Sequence, residues 1–429
     1  MLKNTNVYKN TVFVYISDKD RYKNTSYRVM WQRIGHLVQQ PSGYKAFIPL
    51  PFPGTEPLKL TASIEVKLGE AMRLIGKLDG ISQLLPDKDF FLLMFVRKEA
   101  ASSSQIEGTQ ATIIDAIEAE VIPRNKQAQD VEDIIHYVRA LNYGIKRFDT
   151  LPISVRFIRE LHDELMSGAR TTQHSFPGEF RYSQNWIGGT SPSTAHFVPP
   201  PPHEIARALG DLEKFIHAKN DGYSPLVKAA LLHAQFETIH PFTDGNGRTG
   251  RLLVTMFLWQ EKLLELPLLY LSDFFKKHQS LYYERLQAYH SEPSNVMAWL
   301  DFFLEGVIAT ANSAIQIASS IILIRERDMG KVHTLGKIAA ASAIEVLRNL
   351  YRQPIIDVAK VQEWTLTTRA GAQKIINRFI DLDILVHRNP FKTYGRTFEY
   401  QSYLKLFQKD LSTPTFPYTE NDSKIIYSK

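Results

Sequence analysis

Cysteine is absent from all 429 residues. Its absence excludes disulfides, thiolate-ligated metals and thiol nucleophiles, leaves any chemistry to histidine, carboxylates and arginine, and agrees with a reducing compartment. Long apolar runs are missing as well. The opening residues, MLKNTNVYKN, set no apolar stretch beside their positive charges, and the most apolar later stretch, residues 321–324, is bounded by Ser320 and Arg325. The expectation is a cytoplasmic protein with no membrane span and no membrane partner. A large charge imbalance is missing too: the net charge is +6. That excess is concentrated, with 15 Lys and Arg against 9 Asp and Glu from residue 331 onward. A basic C-terminal third points to DNA as one partner to consider, beside a plain solvated basic face.

What is present is an ordinary globular composition, 44% hydrophobic and 22% charged, long enough for two or three domains. Residues 1–60 read as an N-terminal arm with short strands, such as the run at 11–16, and a proline-rich stretch at 48–54. From residue 61 to about 330 the pattern is helical. Ile64, Leu68, Met72, Ile75 and Leu78 form one apolar helix face ending before Gly80. Ser154 caps a helix closed by Gly168, and Ser224-Pro225 opens another that delivers His240. Residues 333–408 read as helix, helix, helix and a two-stranded wing, a winged helix-turn-helix pattern. Arg369, Gln373, Lys374, Asn377 and Arg378 lie on the outward side of its third helix. Residues 409–429 form a tail.

Chemistry concentrates in residues 240–251, HPFTDGNGRTGR. Glycines let successive backbone N–H groups converge on an anion at the N-terminal end of the following helix. Arg248 and Arg251, at i and i+3, present two guanidinium forks on one side of that helix, which implies more than one phosphate. Asp244 adds a carboxylate where anions gather, a place that suits a Mg²⁺ ion bridging phosphate oxygens. His240 is placed to take a proton from an incoming hydroxyl. Two rival readings fail. The GNGRTG string matches a dinucleotide fingerprint, but a helix precedes it and no βαβ unit surrounds it. His233, Glu237 and His240 lack the H-E-x-x-H order of a helical zinc site; His233 reads as a packed helix histidine and Glu237 as a helix-end carboxylate.

The twelve residues match the Fic (fido) family motif H-x-F-x-[D/E]-G-N-G-R-x-x-R at every fixed position, and the chain resembles that family over roughly residues 40–330. The resemblance implies a mainly α fold, with a Fic-type helical core and a β-hairpin flap, and transfer of AMP from ATP to a Ser, Thr or Tyr hydroxyl of a protein, self-modification included. It implies Mg²⁺, with Mn²⁺ as an alternative. Residue by residue, His240 resembles the general base and Phe242 the anchor of the loop. Asp244 corresponds to the metal ligand, Gly245, Asn246 and Gly247 to the α-phosphate cradle, and Arg248 and Arg251 to the clamps on the outer phosphates. Asn185, Trp186, Ile187, Gly188 and Gly189 fall on the target-docking flap, a hairpin expected over residues 185–198. Ser103, Glu107 and Gly108 match the inhibitory pattern [S/T]-x-x-x-E-[G/N]. Their place before the core resembles the class II members, in which Glu107 would pair with Arg251 and switch the site off. Other expectations remain open: a nucleotide-sensing DNA-binding regulator, a bifunctional enzyme that also removes AMP, a transferred group other than AMP, and a homodimer.

Overall fold

The computed structural model of the chain describes residues 34–53, 58–85, 88–121, 130–168, 176–219, 221–291, 294–391 and 394–408. The run at residues 11–16 and the tail from 409 lie outside them. The described part of the arm is an antiparallel hairpin of β1 (Gly35–Gln39) and β2 (Lys45–Pro49), in register from Gly35 opposite Pro49 to Gln39 opposite Lys45. Its inner face carries Phe47, which is fully buried.

Helices follow. Thr61 caps α1 (Ala62–Ser82), and the helix runs on through Gly80, where a stop was expected. The expected apolar face is also rotated. Met72 points outward, whereas Ile64, Ala71, Leu74, Ile75 and Leu78 are buried. Those spacings of seven, three, one and three residues form a continuous seam against a long partner helix, and the small Ala71 lets the two backbones approach. Next come α2 (Lys88–Ile106), α3 (Ile113–Glu118), α4 (Val131–Arg147) and α5 (Val155–Met166), then α6 (Pro202–His217), α7 (Pro225–Ile239) and α8 (Asn246–Gln260). Helix α5 starts where Ser154 accepts from the Phe157 N–H, and α7 starts the same way on Ser224.

The helices that flank the motif are the middle of the molecule. Helix α7 buries 13 of its 15 residues, so it carries apolar side chains on all sides, as a helix enclosed by others must. The end of that helix therefore cannot wander, and His240 sits on it.

After α9 (Ser272–Lys277) and α10 (Gln279–Tyr289) comes one unbroken helix, α11 (Val296–His333). Its 38 residues span about 57 Å. By length and composition it is the one helix among the described residues able to cross a membrane. Its apolar stripe instead faces protein: Leu300, Phe303, Val307, Ala311, Ala318 and Ile321 are fully buried, and Trp299 donates to the Ala230 carbonyl at 2.8 Å. Asn312 and Gln316 lie on its exposed side.

The last unit consists of α12 (Lys337–Arg352), β3 (Ile355–Ile356), α13 (Val358–Thr365), α14 (Arg369–Asp381), β4 (Val386–His387) and β5 (Phe398–Glu399), with an antiparallel sheet ordered β3-β5-β4. A further helix, α15 (Gln401–Gln408), was not apparent from the sequence. It returns to the N-terminal half: Phe407 packs edge-on to Phe95 at 5.4 Å, and Tyr403 to Phe91 at 6.3 Å. Arg97 donates to the Arg352 carbonyl at 2.9 Å, Gln353 to that of Ile117 at 3.1 Å, and Arg388 pairs with Glu118. The apolar core is continuous across residue 333. Phe407→Ala should cost about 3 kcal/mol and shift the urea unfolding midpoint of the whole chain in a single transition; separate transitions for the two halves would disprove the shared core.

Candidate active site

The motif begins where α7 ends. His240 closes that helix in the left-handed conformation, φ 48°, which turns the chain sharply toward the loop. A non-glycine residue is strained there, and the surroundings hold it. Arg181, buried and far from any carboxylate ion pair that the structure shows, donates from Nε to the His240 carbonyl at 2.8 Å and from Nη2 to the Pro200 carbonyl at 2.5 Å. Asn185 donates to the Phe242 carbonyl at 3.1 Å. The His240 ring is one-fifth exposed. Burial first, then the charge of Arg181, push its pKa down to about 4, so the imidazole is neutral near pH 7. Its Nδ1 lies 3.3 Å from the Glu237 carbonyl. An acceptor there places the ring proton on Nδ1 and leaves the Nε2 lone pair as the base.

The loop is locked from two sides. The Asn246 side chain accepts from the Phe242 N–H and donates to the Phe242 carbonyl, both at 2.9 Å. The Asn246 amide therefore braces the loop. His162 stacks on Phe242 with ring centroids 3.6 Å apart. Its Nδ1 accepts from the Gly178 N–H at 2.9 Å, so the proton resides on Nε2, which faces the Asp244 carbonyl at 3.0 Å.

Gly245, at φ 76°, starts α8, and no side chain caps that helix. The positive end of α8 is thus open to an anion. Gly247 leaves room for the Glu107 carboxylate, whose end would have to shift to admit a Cβ there. Arg248 is 6% exposed; its nearest carboxylates, Asp133 and Asp244, stand 3.9 Å away, and its Nε has no partner among the described residues. A buried arginine so loosely held is suited to a further anion. Asp244 is half exposed; its Oδ1 accepts from the Gly245 N–H at 2.6 Å, and its Oδ2 lies 3.9 Å from Arg248. Among the described residues no three histidines or carboxylates gather around a cation position. An ion at Asp244 would have that one carboxylate as its protein ligand there, which is the sparse protein coordination Mg²⁺ accepts.

Glu107 lies across this pocket. Arg251, 2% exposed, donates from Nη2 to Glu107 Oε1 at 2.6 Å, and to Ser103 through Nε–Oγ at 2.8 Å and Nη2–O at 3.0 Å. Gly108, at φ 96°, ends the first turn beyond α2 so that Glu107 stands at its tip. Burial works against the charge of Arg251, yet the Glu107 carboxylate beside it holds the guanidinium above its ordinary range. The expected pairing of the two is present.

One expectation changes. The hairpin is a single bridge, Ile187 opposite Phe197, below a polar turn at residues 190–194. Gly188 and Gly189 both adopt positive φ and leave the strand direction, and the prolines from 199 onward have no N–H to donate, so no ladder extends. Trp186 and Ile187 are 40% and 38% exposed, but Asn185 faces inward to the motif. Glu237 is the expected helix-end carboxylate, but it is largely buried beside Gly250, its Oε1 has no partner among the described residues, and burial pushes its pKa up to about 8. His233 is packed as expected, with Nε2 2.8 Å from the Tyr282 hydroxyl. The sequence reading missed the bracing roles of Arg181 and His162 and the Asp133 partner of Arg248. The string FPGEFR at residues 176–181 was the one visible signal, a charge placed between aromatic and turn residues.

Fold and site together define a helical protein whose central helix pair presents an anion-binding loop, a neutral histidine and two buried arginines. Two family descriptions match the chain, the Fic/DOC family N-terminal region over residues 66–146 and the Fic/DOC family over residues 152–258, and that part of the chain belongs to the Fic/DOC family. The protein adenylyltransferase Fic of Drosophila grimshawi is 30% identical over 158 residues, covering 36% of this chain and 31% of that protein. The one of Aedes aegypti is 28% identical over 173 residues, covering 40% and 31%. The chain thus spans about a third of the length of the curated relatives it matches. The crystal structure of a Fic family protein from Desulfovibrio desulfuricans G20 shares the fold, with a TM-score of 0.50, 18% identity, 81% of this chain covered and 98% of that one.

The buried histidines make a prediction on stability. Burial lowers the pKa of His162 and His240 to about 4 and of His233 and His290 to about 3, from 6.5. Below pH 6.5 the unfolded chain binds protons that the folded one refuses, so each histidine removes stability as pH falls from 6.5 toward 4. Burial raises Glu237 and Glu99, which act in the opposite direction above pH 4.5 but are outnumbered below 6.5. Above 6.5 the histidines no longer change this balance, and the raised carboxyls, Glu237 up to about 8, cost stability as pH rises. The melting temperature should therefore peak near pH 6.5 and fall steeply toward pH 5; a flat profile from 7 to 5 would contradict the burial of these rings.

Proposed function

We propose that this chain is an autoinhibited protein adenylyltransferase, which transfers AMP from ATP to a Ser, Thr or Tyr hydroxyl of a protein. The observation that carries the reading is the Glu107–Arg251 contact at the mouth of the loop. The relatives' printed activity supports the transferred group.

In this mechanism the open N-terminal end of α8 receives the α-phosphate on the backbone N–H groups of residues 246 and 247. Arg248 and Arg251 receive the outer phosphates, which leave together as pyrophosphate. The target hydroxyl loses its proton to His240 Nε2 while its oxygen bonds to the α-phosphorus and the bond to the β-phosphate oxygen breaks. A Mg²⁺ on Asp244 would neutralise charge developing on the phosphates. Trp186 and Ile187, half exposed at the bridge, would hold an extended target segment against its edge. Burial, and after it the charge of Arg181, keep His240 uncharged before the proton arrives, and Arg181 holds its strained backbone in place.

In the inhibited state Glu107 occupies the fork that an outer phosphate needs. Two anions cannot share one buried guanidinium without a large repulsion, so ATP and Glu107 compete. Glu107→Gly should raise labelled AMP incorporation about tenfold or more, the scale of one lost competing ion pair. Adding His240→Ala to that variant should lower it by ~10² to 10⁴, the usual range for a general base. An unchanged rate in Glu107→Gly overturns the inhibition, and persistent labelling with His240→Ala overturns the mechanism. Mass spectrometry of the products maps the modified hydroxyls, on this chain and on others.

A second reading is favoured by one observation: Arg369, Lys374 and Asn377 are exposed along one side of α14. This face would contact DNA phosphates or base edges while the Fic part senses nucleotide. A salt-dependent gel shift, lost in Arg369→Ala with Lys374→Ala, is the expected sign; no binding at low salt removes this reading.

A further inference from the structure

Glu237 has no part in the reaction proposed above, although it stands beside the base. It lies on the last turn of α7, three residues before His240, with 11% of its side chain exposed. A buried carboxyl ordinarily collects hydrogen bonds, yet its Oε1 has no partner among the described residues. The neighbouring helix leaves room for it. A Cβ on Gly250 of α8 would stand 2.5 Å from Oε1, so the carboxyl would have to shift to admit one. The other oxygen turns to the catalytic ring: Oε2 is 3.8 Å from His240 Nδ1, and among the described residues no other carboxylate is within ion-pair reach of that ring. The Glu237 carbonyl is 3.3 Å from the same Nδ1. One residue thus sets both its carbonyl and its carboxyl on the side of the imidazole away from Nε2.

When Nε2 takes the target's proton the ring becomes an imidazolium, and its surroundings oppose that charge: burial, then Arg181, hold its pKa near 4. A base so far below the working pH is a weak proton acceptor. An opposite charge about 4 Å away favours the imidazolium about tenfold or more. We propose that Glu237 is a positioning residue for AMP transfer, its carboxylate standing behind His240 Nδ1 as the counter-charge to the imidazolium that forms at the moment of transfer; the role rests on the reaction proposed above. The target O–H bond breaks and the Nε2–H bond forms, and no proton passes to Glu237. The groups that face Glu237 decide when it is charged. Burial raises its pKa to about 8, against the pull of Arg251 on α8 and with the help of Glu107 beyond α2. His233, on its own helix, is kept neutral by burial and then by Arg251. On α10, burial first and then the nearby glutamates hold the Tyr282 and Tyr283 phenols above their ordinary range. Around the ring stand Arg181, Glu107 and Asp244, with the neutral His290. Glu237 is therefore the group that gains charge on the alkaline side of neutrality, and His240 becomes the stronger base as it does.

The test compares the full chain carrying Glu107→Gly with the same chain also carrying Glu237→Gln, which keeps the shape and removes the charge. Self-labelling with AMP, followed from about pH 6 to about pH 9, should rise through the ionisation of Glu237 in the first and lack that rise in the second. At the alkaline end the second should be about tenfold slower, with an unchanged KM for ATP near neutral pH. Ionisation of the acceptor hydroxyl cancels in the ratio of the two rates. Glu237→Asp, which keeps the charge, should restore part of the rise. Equal profiles, or a loss of the same size at every pH together with a lowered melting temperature, overturn the role. Ring NMR of histidine-labelled, nucleotide-free protein, with His240 assigned through His240→Gln, reads the contact without any transfer. The His240 signals should step as Glu237 ionises, near pH 8 in the wild type and lower in Glu107→Gly, because Glu107 raises the Glu237 pKa. The step should vanish in Glu237→Gln. Absence of the step in the wild type, or its persistence in Glu237→Gln, overturns the role. A step without AMP transfer by any form of the chain overturns the proposed reaction and supports the contact.

Discussion

A buried guanidinium has to be answered by an anion, and Arg251 sets that requirement at the centre of this molecule. Only 2% of its side chain meets solvent, in a helix enclosed by other helices, so water cannot solvate the charge. Leaving it unpaired would cost several kcal/mol. The chain meets the requirement from 144 residues upstream, with the C-terminal turn of α2. Everything that positions α2, including Glu99 on Ser272 and Phe95 on Phe407, therefore bears on whether the pocket is filled by protein or open to a nucleotide.

The same constraint explains the crowding of braces around the loop. A site built to bind several phosphates collects positive charge and unpaired N–H groups, and such a loop has little reason to stay ordered on its own. His162, Arg181, Asn185 and Asn246 hold it by hydrogen bonds to its backbone, not to one another. Because they grip carbonyls and amides, they fix geometry without consuming the donors that face the pocket. Arg181 also supplies an electrostatic effect: its charge and the local burial keep His240 neutral, which is the state a proton acceptor must start in.

Much of this was legible in the chain. The glycines, both arginines, Asp244 and His240 fall within twelve residues, so local spacing alone indicates one site, and the helix starts at Ser154 and Ser224 are fixed by side-chain caps that act over three residues. The Glu107 partner was legible as a pattern and its contact with Arg251 as an expectation. What escaped depended on distance. Met72 and Ala71 differ by one position on a helix, and only the partner helix decides which turns inward. Glu237 looks like any helix-end carboxylate until α8 is packed over it. Helix α15 has weak signals of its own and is stabilised by Phe91 and Phe95, more than three hundred residues earlier. The hairpin shrank to one bridge because paired glycines and a proline run compete with strand pairing over the same few residues.

The Glu107–Arg251 pair is better understood as an exchangeable occupant than as a stabilising bond. A buried ion pair gains in Coulomb attraction about what it loses in desolvation, so its net contribution to folding is small even though breaking it without a replacement is costly. That combination is what a switch needs. A carboxylate one-third exposed, on a helix tip ended by Gly108, can leave at modest cost if a phosphate takes its place on the same guanidinium. A carboxylate packed as Glu237 is, with only 11% of its side chain exposed, by contrast stays largely protonated near neutral pH beside the same arginine. Two glutamates thus stand beside one cation in different ways: Glu107 is ion-paired with it from an accessible helix tip, and Glu237 is neutral beside it.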